Sequence, residues 1–185
     1  MYYKCLEHYP ADNSICISMN KEITQHTRHG AVTGHQYHFD DYVKFINIPK
    51  CASTAIREHK PKLGHKFTVL RQPFDRLHSC FKHVIVFENI SMARATAYLT
   101  GLETIKDNDI ANAMMHFIPA SFFIEQSRVF CEEPYSVHKL ENLHFHSANV
   151  NPVSKHDDEI LKWMGDNKEF IQSFYAKDIK LYNSN

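Results

Sequence analysis

Twice between residues 43 and 81 a short apolar run ends on a basic side chain and gives way to a helix start: VKFINIPKCASTAIREH at 43–59 and FTVLRQPFDRLHSCF at 67–81. No other feature restricts the fold as much. A strand-helix-strand-helix order with short connections favours parallel strands joined by right-handed crossovers, and such sheets bind ligands at the carboxyl ends of their strands. Lys50 and Arg71 each fall just past such an end. The expected fold class is therefore α/β, a three-layer arrangement with a central, mainly parallel sheet flanked by helices.

The details of the two junctions support this order. Val43 to Ile48 reads as a buried strand, Ser53 to His59 as a short helix stopped by Pro61, and Phe67 to Leu70 as the second strand. Pro73 suits the first turn of a helix, where its missing N–H costs nothing, and Asp75 favours the positive end. Phe74, Leu77, Phe81, Val84 and Ile85 then repeat at three- and four-residue intervals as an apolar stripe, with Arg76, Ser79 and His83 on the opposite face.

Farther along, Ser91 caps a helix ending near Gly101, and Asp107 or Asn108 starts another that runs to about Met115. Residues 127–131 and 135–140 read as short strands, and 156–164 and 167–182 as helices whose Ile160, Leu161, Trp163, Met164, Phe170, Ile171 and Phe174 supply core. Residues 1–41 are polar and rich in histidine and tyrosine. They form an irregular arm ahead of a core at 42–185, and 185 residues suit one domain.

Charge is neutral overall but uneven. From Lys50 to Lys82 eight basic residues face two acidic ones, which suits a multivalent anion, while the neutral total does not suggest nucleic acid. Five cysteines without a CxxC pair indicate reduced thiols rather than a disulfide framework or a cysteine zinc site. The opening MYYKCLEHYP lacks an export signal and no apolar run is long enough to span a bilayer, so a cytoplasmic chain without membrane partners is expected.

A helix start offers unpaired N–H groups and the positive end of a dipole, and small side chains let a phosphate approach them. Cys51, Ala52, Ser53 and Thr54 meet that condition. The lysine here precedes the small residues and no glycine lies between Phe39 and Lys62, which argues against the GxxxxGK[ST] loop of an ordinary ATPase or nucleotide kinase.

Pro-Lys followed by small and hydroxyl residues at a strand end resembles the 5′-phosphosulfate loop of sulfotransferases that use 3′-phosphoadenosine 5′-phosphosulfate (PAPS). FTVLRQPFDRLHSCF is similar to the family's 3′-phosphate element, a strand leading into R-x-P-x-x-R-x-x-S. HFIPASFF at 116–123, VHKLENL at 137–143 and YAKDIKLY at 175–182 more loosely resemble segments of the carbohydrate branch. Two departures stand out: Gln72 where the family usually has aspartate, and Ala120 where the looser pattern has glutamine.

The resemblance implies a metal-free transfer of a sulfuryl group from PAPS to an acceptor hydroxyl, as of a carbohydrate. It gives the 5′ end to Lys50, Cys51, Ala52, Ser53 and Thr54, and the 3′-phosphate to Arg71 and Ser79, with Arg76 structural or a secondary anion contact. Lys50 would also stabilise the departing bridging oxygen. His116 is the expected general base, with His65, His35 and Glu141 as competitors. Two features have plain alternatives: Cys51 is a reactive thiol or simply small, and His144-x-His146 is a metal pair or two unrelated histidines. A sulfotransferase-like module that binds nucleotide or glycan without turnover is the rival reading.

Overall fold

The computed structural model describes residues 39–40, 43–46, 48–52, 55–56, 67–106, 108–130, 135–143 and 154–185. It is a mixed α/β structure, predominantly helical around a small sheet. The sheet runs in the order β1 (Phe39–Asp40), β2 (Val43–Ile46), β3 (Phe67–Leu70), β4 (Ser136–Lys139). β2, β3 and β4 are parallel, in the registers Phe45↔Phe67 and Leu70↔Lys139, and β1 pairs antiparallel with β2. Residues 39 and 40, expected in an irregular arm, thus supply an edge strand.

Every residue of β3 is buried, as a strand covered on both faces must be. Its alternation separates two clusters. Phe67 and Val69 join Ile56, with Leu140 and Leu143 against them, while Leu70 joins Ile48, Leu77 and Phe81 in the main core. Ile56 belongs to the helical residues 55–56 that follow β2.

α1 (Pro73–Val86) follows β3 and buries Leu77, Phe81, Val84 and Ile85 of the expected stripe, with Phe74 partly buried against the core, but it also buries Arg76 and Ser79, which were expected on the opposite face. Its first turn is capped by Gln72, whose Oε1 accepts from the Asp75 N–H at 2.8 Å. The glutamine that departs from the family pattern therefore performs a capping task suited to a short polar side chain. α2 (Met92–Leu99) is capped by Ser91, and α3 (Asn108–Met114) leads into a 3-10 turn at Met115–Phe117.

α4 (Ala120–Phe130) corrects the expected strand at 127–131, because residues up to 130 continue the helix. Its start is satisfied from a distance: Asp178 accepts from the N–H groups of Ala120 and Ser121 at 2.7 and 2.8 Å. α5 (Asp157–Asp166), α6 (Lys168–Phe174) and α7 (Ala176–Ser184) follow, the last two divided at Tyr175, whose hydroxyl donates to the Phe117 carbonyl at 2.7 Å. Phe81 meets Phe117 and Trp163 edge-on, which joins α1 to the 3-10 turn and to α5. Leu161, expected in the core, is 56% exposed. Among the described residues no helix is long and apolar enough to cross a membrane.

Candidate functional site

The parallel register brings the carboxyl ends of β2, β3 and β4 to one edge of the sheet, with Lys50 beyond β2, Arg71 beyond β3, Lys139 ending β4 and Glu141 just past it. The loop after β2 is unusual in its backbone. Lys50 and Ala52 have φ of 65° and 62°, in the left-handed region that non-glycine residues seldom adopt. Strain of this kind costs on the order of 1–3 kcal/mol per residue and persists only where the surroundings enforce it. The Cys51 N–H donates to the Ile48 carbonyl at 3.2 Å, and the Ile56 N–H donates to the Ala52 carbonyl at 3.0 Å, so the turn passes directly into the following helical residues.

Arg76 is the main restraint. It is 1% exposed; its Nε donates to the Pro49 carbonyl at 3.0 Å, and one terminal nitrogen donates to the carbonyls of His116 and Ile118 at 3.1 and 2.8 Å. The other terminal nitrogen lies 4.0 Å from the Asp178 carboxylate, itself 3% exposed. One guanidinium therefore ties the strand-tip loop to the 3-10 turn, to the entry of α4 and to α7. Of the roles expected for Arg76, the structure shows the structural one.

Lys50 and Arg71 are neighbours. Burial lowers the Lys50 pKa most; the Cys80 side opposes this, and the positive charges of Arg71 and Arg76 push it down further. The Cys51 thiol takes a backbone hydrogen bond from Arg71, which links the two strand tips directly. Among the described residues neither Lys50 nor Arg71 has a carboxylate at ion-pair distance. Two partly buried cations that repel one another, with no acid between them among the described residues, create a local positive potential.

The other expected site residues divide. Ala52 is half-buried beside Lys50, whereas Ser79 is 2% exposed and covered within α1. Ser53, Thr54, His65, His35, His144 and His146 lie outside the described residues. His116 is half-buried in the 3-10 turn, where its carbonyl also accepts from the Cys80 thiol at 2.9 Å. Its ring meets that of His83 edge-on, with centroids 4.3 Å apart. His83 Nε2 pairs with Glu88 at 3.2 Å. Burial, and then the Lys50 charge, lower the His83 pKa against the upward pull of Glu88.

His83 and Glu88 had no assigned role in the sequence, because a histidine on a polar helix face and an acid beyond the helix end carry no mutual signal. Glu141, the acidic competitor for the base role, is bonded to the Tyr182 hydroxyl. That bond holds its carboxyl below the usual range and makes it a weaker proton acceptor.

Of the two readings of Cys51, the geometry favours the small buried one: the residue is 0% exposed and burial raises its pKa. Cys80 is equally buried, its thiol pushed up to about 11. Iodoacetamide near neutral pH is expected to leave both unmodified in the folded protein and to modify both in urea, as read by peptide mass mapping. Labelling of native Cys51 would mean that the strand-tip loop opens.

No protein-family model, curated protein or solved structure matches the chain.

Proposed function

We propose that the chain is a PAPS-dependent sulfotransferase with a P-loop-like three-layer core, acting on an acceptor hydroxyl of a carbohydrate. The observation that carries this reading is the juxtaposition of Lys50 and Arg71 at adjacent parallel strand tips, mutually repelling and without a carboxylate partner among the described residues. The resemblance of the two junction motifs supplies the choice of anion, a nucleotide with phosphates at both ends.

In this reading Lys50 and the left-handed turn hold the phosphosulfate, and Arg71 holds the 3′-phosphate with the planar fork that suits it. The acceptor oxygen attacks sulfur, the bond from sulfur to the bridging oxygen breaks, and its electron pair stays on the 5′-phosphate. Lys50 stabilises that growing charge. The acceptor proton passes to His116. Ser79 joins the 3′ contact only if ligand entry uncovers it. The proposal places the chain in the cytoplasm, supported by the free thiols of Cys51 and Cys80.

Calorimetric titration with 3′-phosphoadenosine 5′-phosphate tests the donor site, and transfer from PAPS to a panel of sugars tests turnover. One-to-one binding with product formation is the expected result. Binding without product would leave the non-catalytic module, and no binding at all would end the proposal.

A further inference from the structure

The far end of α1 carries His83, whose pKa is lowered by burial and then by the Lys50 charge. There the helix stops at Val86, Asn89 takes a left-handed φ of 54°, and the Ile90 N–H returns to the Val84 carbonyl at 3.1 Å. This turn holds Glu88 against His83. The third member, His116, comes from the 3-10 turn that Arg76 and Cys80 pin through the His116 carbonyl. One ligand atom from each of His83, Glu88 and His116 lies within 4.8 Å of the others.

We propose that His83, Glu88 and His116 form a binding site for a divalent transition ion of the zinc class. Two imidazoles and one carboxylate are a donor set that zinc accepts, with a fourth position left to solvent, and they suit magnesium or calcium poorly. Zinc bonds of about 2.0–2.2 Å place tetrahedral ligands roughly 3.3 Å apart. The 3.2 Å separation of His83 and Glu88 already matches that spacing, and modest side-chain rotation brings His116 in. The backbones of all three are fixed by a helix end and a clamped turn, so little order has to be created on binding.

The site carries one formal negative charge, from Glu88, while the Lys50 charge acts on His83 and lowers its pKa. Carboxylate charge should therefore matter more here than at an isolated histidine pair. The inference does not depend on sulfuryl transfer. If that reading also holds, a bound ion occupies a ring nitrogen of His116 and removes the base.

The test uses the full chain, stripped with chelator and titrated with Co2+ while its visible absorption is followed, then with Zn2+ in competition. One saturable Co2+ site displaced by Zn2+ is expected. His83→Ala should abolish the band and Glu88→Gln should weaken binding at least tenfold, whereas His156→Ala, which is not a member of the cluster, should leave the band unchanged. Urea midpoints of the metal-free variants establish that they are folded. No saturable site in the parent chain, retention of the band in folded His83→Ala, or its equal loss in His156→Ala would overturn the proposal.

Discussion

Replacing Lys50 by methionine is expected to weaken binding of 3′-phosphoadenosine 5′-phosphate at least about thirtyfold, the loss typical when one partner of a buried charge pair is truncated. The ligand-free protein should become more stable at the same time. Lys50 is partly buried beside Arg71 and Arg76, its pKa depressed first by burial, so its charge opposes folding until an anion arrives. The folded protein loses the Lys50 proton at lower pH than the unfolded chain does. Between the depressed folded pKa and the unfolded value near 10.5 the unfolded state binds more protons, so this residue's contribution to stability rises with pH across that window. Lys50→Met should remove that rise, as read from urea midpoints at successive pH values. Weaker binding with lower stability would mean that Lys50 is a structural residue. Arg71→Ala should reproduce the loss of affinity.

Arg76→Leu is expected to destabilise the fold by about 3–5 kcal/mol, the range for removing one member of a buried ion pair. The carbonyls of Pro49, His116 and Ile118 would lose their shared donor, and the Asp178 carboxylate would stay buried without its cation. Arg76→Lys should recover only part, because an ammonium cannot address three carbonyls and a carboxylate with a planar fork. Denaturant unfolding of both variants checks this. A midpoint close to that of the parent in Arg76→Leu would show that the clamp contributes little.

The expected strands and helices were legible where apolar periodicity was strong. β3 and α1 follow from Phe67 to Leu70 and from the stripe through Leu77, Phe81 and Val84, because both elements are buried by their own local pattern. α4 was missed for the opposite reason. The N–H groups at its start are satisfied by Asp178, 58 residues away for Ala120, and no local capping signal announces that partner. The terminal helix broke at Tyr175, where a hydroxyl bond to Phe117 fixes the side chain and no glycine or proline marks the change.

The site was legible in the same measure. Lys50 and Arg71 stood out because each lies just past a strand end, and a parallel sheet places neighbouring strand ends together. Gln72 departs from the aspartate of the resembled motif, and only the structure shows that it caps α1. His116 meets His83 and Glu88 only through tertiary packing: those two flank one helix end, and His116 depends on where Arg76 holds a turn 40 residues along the chain.

The reliance of Arg76 on Asp178 also sets an order of events during synthesis. A ribosome delivers the sheet and α1 long before α7, so the guanidinium must wait for its carboxylate while all three of its carbonyl partners are already present. Residues 43–118 released alone would have to enclose an unneutralised cation, and the strand-tip turn should therefore reach its final shape only after residue 178 has left the exit tunnel.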